Sequence, residues 1–240
     1  MRVALIADIH GNLVSLEAVL ADVERQRVDQ VVCLGDVASL GPQPHEVLAR
    51  LKALGCPCVS GNHDDELLDP ARVQGLGSWF VEVTSWCLEQ LSAADLDYVR
   101  SFVSLVEIPL GGEAHLCGYH GSPRSNEERI LATTPDGELD EMLAGHSAAV
   151  MAGAHNHVQM VRRHRGMYVI EVGSVGLPFE QFPWPGMPPF RAWAEYAIVS
   201  RTDSVLGVDL RRVSVDLDAV KRSIAESGMP GAAYWLGGGS

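Results

Sequence analysis

The run Val3-Ala4-Leu5-Ile6-Ala7 leads directly into Asp8-Ile9-His10-Gly11-Asn12. Five unbroken apolar residues are too few for a helix and read as a strand buried on both faces. Behind them Leu13, Leu16, Val19, Leu20 and Val23 recur at helical spacing. The pattern then repeats. Gln30–Leu34 reads as a strand ending at Gly35-Asp36. Pro44 starts a helix whose inner face carries Val47, Leu48, Leu51 and Leu54, and Pro57–Ser60 reads as a third strand. This βαβαβ order predicts a parallel sheet with right-handed crossovers.

Further along, Trp79–Leu91 and Ser92–Phe102 read as helices, the second opened by Ser92 with Asp95 three residues on. Leu105–Pro109 and Glu113–Tyr119 read as a hairpin around Gly111-Gly112. Strands are expected at Val150–Ala154, Tyr168–Val172, Ala192–Ser200 and Val205–Leu210, and a last helix at Leu217–Ser227. Pro178–Phe190 holds five prolines, which excludes a central strand and predicts a long structured loop. That loop and the 65–91 segment are the expected walls of any ligand site. No internal repeat interrupts the chain, so residues 1–236 read as one domain, and 237–240 as a flexible tail.

Five of these strands each end in residues able to hold a metal. The exits are Asp8-x-His10, Asp36, Asn62-His63-Asp64, His120 and His155-x-His157. Carboxyl ends of strands are where open α/β sheets place their ligands. Singly, each motif has an ordinary reading as a loop pair, a strand exit, a turn or two surface histidines. Together they hold five of the nine histidines. Mixed carboxylate and imidazole ligands suit Mn, Fe, Zn or Ni better than Mg or Ca. Seven ligands exceed one tetrahedral zinc and suit two metals sharing a carboxylate.

Composition narrows the function. Of 240 residues, 47% are hydrophobic and 20% charged, which excludes a disordered chain and a coiled coil. No apolar run approaches the ~18 residues of a membrane span, and Val3–Ala7 is too short for a signal sequence, so a cytoplasmic protein is expected. A net charge of −13 argues against nonspecific nucleic-acid binding, which needs a basic surface. The five cysteines lack disulfide-framework spacing and read as reduced core residues, with Cys56-Pro57-Cys58 as a weaker metal candidate.

Taken in order, Asp8-x-His10, Gly35-Asp36, Gly61-Asn62-His63-Asp64, His120 and His155-x-His157 resemble the calcineurin-like metallophosphoesterases over nearly the whole chain. Asp36 through Gly41-Pro42, His120-Gly121-Ser122-Pro123-Arg124 and Gly173-Ser174-Val175-Gly176 with Pro178 are similar to the small bacterial and archaeal phosphodiesterase-like branch. The resemblance implies an α/β, four-layer αββα sandwich of two mixed sheets flanked by helices. It also implies two divalent metal ions per chain, Mn²⁺ first, with Fe, Zn or Ni as alternatives. One ion would take Asp8, His10, His157 and the bridging Asp36; the other would take Asp36, Asn62, His120 and His155.

The implied reaction is hydrolysis of a phosphomonoester or phosphodiester by in-line attack of a metal-bridging hydroxide, with His63 protonating the leaving oxygen. Asn12 and Arg124 are candidate phosphate contacts, the alternatives being a helix cap and a surface charge. The partner is then a small phosphorylated substrate; homo-oligomer formation stays open. The rival is a catalytically silent metal-binding scaffold, like the retromer subunit that resembles this family but lacks the catalytic histidine. Three positions depart from the family pattern. Ala154 stands where a glycine usually precedes the last His-x-His. Ser39 and Leu40 replace the Asp-Arg of the protein phosphatases, which removes the acid that orients their histidine. Glu171-Val172 replaces Asn-Pro before Gly173.

Overall fold

In the computed structural model, which describes residues 1–181 and 190–236, the opening run forms β1 (Arg2–Ile6) and its helix α1 (Leu13–Gln26). β2 (Gln30–Cys33) and α2 (Pro44–Leu54) follow, then the short α3 (Asn62–Leu68), α4 (Ser78–Gln90) and α5 (Ala93–Arg100). The hairpin is β3 (Val106–Gly111) and β4 (Ala114–Gly118). Next come α6 (Asp136–Met142), β5 (Val150–Gly153), β6 (Met160–His164) and β7 (Met167–Glu171). The chain closes with the ten-residue strands β8 (Trp193–Thr202) and β9 (Val205–Ser214), then α7 (Leu217–Ser227) and α8 (Ala232–Trp235).

Two mixed sheets result, ordered β2-β1-β8-β9 and β3-β4-β5-β7-β6. Side-chain alternation sorts their residues into three cores. Val3 and Leu5 of β1 meet Leu116 of β4, Val150 and Ala152 of β5, and Ile170 of β7 between the sheets. Ala4 and Ile6, on the opposite face of β1, pack under Leu16, Val19, Leu48 and Leu51 of the helices. On the far side Cys117, Met151 and Val169 lie against Leu139 and Met142 of α6. Helices, sheet, sheet and helix make the four expected layers. Strands buried on both faces explain the unbroken apolar runs.

The structure corrects the opening pattern in two places. The first sheet is mixed, because β1 pairs parallel with β2 but antiparallel with β8. Pro57–Ser60 is not a full strand. It makes single bridges, Cys58 to Cys33 and Val59 to Val103. Pro57 has no N–H to donate, and Ser60 already turns its N–H toward Val103, so no ladder extends. Pro109 fits β3 because that strand is the sheet edge. No helix among the described residues is long and apolar enough to cross a membrane. Residues 182–189, most of the proline-rich loop, and the 237–240 tail lie outside the described residues.

Candidate metal centre

The sheet edges deliver the ligands as the strands end. Asp8 and His10 follow β1, Asp36 follows β2, His120 follows β4, and His155 and His157 follow β5. Asn62 opens α3. Five of these residues hold left-handed backbone: Asp8 (φ 50°), His10 (47°), Asp36 (57°), His155 (70°) and His157 (58°). That region is uncommon for residues with a Cβ, and each instance costs about 1–3 kcal/mol. The surrounding loops enforce it. Asp8 N–H donates to Gly35 O (2.9 Å), Ile9 N–H to Asp36 O (2.9 Å), and Gly176 N–H to Asp8 O (2.9 Å). Such clustering turns side chains inward that ordinary strand exits would send to solvent.

Two groups form within this edge: Asp8, His10 and His157, and Asp36, His120 and His155. His10 Nε2 lies 3.1 Å from His157 Nε2, which is itself 3.4 Å from Asp8 Oδ1. Asp36 Oδ2 stands between the groups, 3.4 Å from His120 Nε2 and 3.9 Å from His10 Nε2. His120 Nδ1 donates to Leu34 O (2.7 Å) and His157 Nδ1 to Leu177 O (2.6 Å), so Nε2 is the nitrogen each ring turns toward the centre.

The buried atoms left over test whether cations fit. Asp8 Oδ1, Asp36 Oδ2, Asn62 Oδ1, His120 Nε2 and His155 Nε2 are buried without a hydrogen-bond partner. Leaving such atoms unpaired is costly; four of the five belong to residues of the two groups, and Asn62 borders the same cavity. Burial lowers the pKa of His120, but the carboxylates of Asp36 and Asp8 outweigh it and push it up to about 10. Burial, with His120 beside it, pulls His155 down to about 3 and keeps that ring neutral. A carboxylate field strong enough to raise His120, beside the neutral ring of His155, is the environment a divalent cation neutralises. The donor set fits two such ions.

His63, next to Asn62, is not part of either group. Its Nδ1 donates to Glu66 Oε2 at 2.6 Å, one turn along α3. Burial pulls His63 down, yet Asp36 and the Glu66 carboxylate outweigh it and leave its pKa raised. Glu66 therefore supplies the orienting acid that Ser39 and Leu40 lack. Asp64 ties the two central loops together, accepting from the N–H groups of Asp36 (2.8 Å), Val37 (3.0 Å) and Gly61 (2.9 Å). Gly61 is needed for close approach, since a Cβ there would overlap the Asp36 carboxylate.

Above the ligands opens a cavity of about 540 Å³, bordered by His10, Asp36, Asn62, His63, His155 and His157. Its other walls come from the 65–91 segment (Glu66, Arg72, Leu76, Trp79, Phe80) and from Arg129, Leu177 and Phe179. Asn12 is not on this wall. Its Oδ1 caps α1 at Ser15 N (3.0 Å) and its Nδ2 donates to Gly176 O (3.2 Å). Arg124 also lies elsewhere, lining an adjoining polar cleft and paired with Glu128 at 2.6 Å. Neither candidate ligand group includes a cysteine, and all five cysteines are free. The sequence reading placed walls in the 65–91 segment and the Pro178–Phe190 loop, where Glu66, Arg72, Trp79, Phe80 and Phe179 lie, without singling out Glu66 or Arg72, and it missed Arg129. An acid three residues after His63 was the one legible signal among them.

Carboxylates and imidazoles gathered at the edge of a two-sheet sandwich define a protein with a candidate two-site metal centre. Residues 1–186 match the calcineurin-like phosphoesterase superfamily domain, and the chain belongs to that superfamily. It is 25% identical over 252 residues to an uncharacterized protein of Methanocaldococcus jannaschii, covering 98% of this chain and 95% of that one. A crystal structure of a metallophosphoesterase from Sphaerobacter thermophilus superposes with a TM-score of 0.77 and 26% identity, over 100% of this chain and 99% of the other. A hypothetical protein of Pyrococcus horikoshii OT3 gives 0.81 at 21% identity over 100% and 99%, a likeness of fold.

Proposed function

We propose that residues 1–236 act as one metallophosphoesterase domain that hydrolyses a small cytoplasmic phosphomonoester or phosphodiester. The observation that carries this reading is the set of five partnerless buried donor atoms converging from four loops and α3. Asp8, His10, His157 and Asp36 would hold one divalent ion; Asp36, Asn62, His120 and His155 would hold the second. Mn²⁺ is the first candidate for such ligands. When bound, the pair of ions supplies an activated water and neutralises the phosphoryl oxygens.

The chain's own residues do the rest. Asp36 keeps the two ligand groups in register, and Asp64 fixes the loop that carries it. With Nδ1 tied to Glu66, His63 presents Nε2 to the cavity, where it can give a proton to the departing oxygen. A silent scaffold would have no use for a histidine held this way. The test is turnover of p-nitrophenyl phosphate or its bis ester by Mn²⁺-reconstituted protein. Metal-dependent hydrolysis abolished by chelation supports the reading; rates at the uncatalysed background with full metal content sink it.

A further inference from the structure

The wall facing the ligands is not the polar surface that a phosphate group alone would need. Trp79 and Phe80 stand at the start of α4, with Leu76 just before them and Phe179 on the opposite rim. The Phe80 ring runs parallel to the His63 imidazole, 5° between planes and 6.4 Å between centroids. Trp79 meets Phe80 edge to face at 5.0 Å. Across the cavity Phe179 covers the His157 ring at 4.4 Å. Arg72, paired with Asp65 at 3.0 Å, and Arg129 border the same space together with Glu66 and Glu127, so its edges are charged with both signs.

Position gives this wall its meaning. His63 is the residue placed to protonate the leaving oxygen, so the group attached to that oxygen must lie along His63 and therefore against Phe80. We infer that this wall is a base-binding subsite, and that the substrate is a phosphoester of a nucleoside whose base stacks on Phe80 with Trp79, at 74° to that ring, meeting its edge. The inference rests on the phosphoesterase reading and names its substrate class.

Competing classes fit less well. The hydroxyls of a sugar phosphate would lose water against Leu76, Trp79 and Phe80 without gaining partners. A base offers a flat π-face to aromatic rings, and such stacking is sequence-tolerant and substantial. An acyl chain would fill apolar space but would offer no donors or acceptors to the charged side chains of both signs at its edge, Arg72, Arg129, Glu66 and Glu127. A cavity of about 540 Å³ lies within the roughly 300–1,000 Å³ typical of small-molecule sites.

Adenosine 5′-monophosphate and ribose 5-phosphate share a primary phosphoester and differ by the base alone. Each is used as a competitor against bis(p-nitrophenyl) phosphate on Mn²⁺-loaded protein, and each is titrated calorimetrically into Mn²⁺-loaded H63A, whose slowed turnover lets binding be read by itself. The nucleotide should bind on the order of 10-fold tighter or more, and F80L, which keeps apolar volume but removes the ring face, should collapse that ratio, as should W79A. Equal affinities in the unsubstituted protein, or a ratio surviving both substitutions, overturn the base subsite. A ratio that persists while no phosphoester is hydrolysed would instead overturn the phosphoesterase reading, so the two failures are distinct.

Discussion

At Asp36 one carboxylate serves two neighbours at once. Oδ2 lies between His120 and His10, while Oδ1 accepts from the His63 N–H at 3.0 Å. An amide cannot offer an anionic oxygen between two cations, so D36N should lower the bound metal from about two equivalents to one or fewer. Emission spectrometry of reconstituted protein reads this directly, and unchanged stoichiometry removes the bridge. For His63 the expected signature is different. H63A should slow alkyl phosphoesters by on the order of 10²–10⁴-fold with metal content intact, and p-nitrophenyl esters less, because that leaving group needs little protonation. E66Q should follow the same leaving-group pattern at roughly 10–100-fold, as partners that orient catalytic histidines do. Equal losses on both esters would place Glu66 outside proton transfer. The seven residues proposed as ligands were legible because each follows a readable apolar strand or, for Asn62, a glycine. Glu66 was passed over: an acid three residues after His63 is visible in the sequence, but its contact with His63 exists only once α3 has formed.

Among the elements, α3 has most influence on the site for its seven residues. Its N-terminal Asn62 and His63 face the cavity while Asp64 gathers three N–H groups from two loops. D64A would leave all three donors buried and unpaired, at about 1–3 kcal/mol each before relaxation. The expected result is a loss of several kcal/mol in chemical denaturation, with weaker metal retention because the Asp36 loop is freed. Stability within about 0.5 kcal/mol of the parent would show that the loops hold without it. Strands with both faces buried were easy to read, and β1, β2, β5 and β7 fall within a residue or so of their expected bounds. The missed elements are short or amphipathic by a narrow margin. β6 is an edge strand reading Met-Val-Arg-Arg-His, and α6 buries only Leu139 and Met142. A two-residue apolar face is too small a signal for a sequence pattern to register.

At the scale of the molecule, the two sheets are locked by a shared core, yet their common edge concentrates cost. Five residues with side chains hold left-handed backbone there, and five buried donor atoms lack partners. Close by, burial and Asp8 push the Glu171 carboxyl well above its usual range, so this end of the sandwich tolerates little additional negative charge. Folding must assemble carboxylates and imidazoles from opposite ends of the chain, Asp8 against His157 and Asp36 against His120. Unfolded chain has no such arrangement, so cations that bind the assembled edge should stabilise the fold by mass action. At free metal one hundred times the dissociation constant, one site contributes about 2.7 kcal/mol. For a chain of this length that corresponds to roughly 5–11 °C in Tm. Chelation followed by Mn²⁺ reloading, monitored by calorimetry, should lower and then restore Tm by at least that much. D36N should show a smaller swing, because its second site is lost and the first is weakened. If chelated and reloaded protein melt at the same temperature, the edge carries its strain without a cation, and the two-ion centre is wrong.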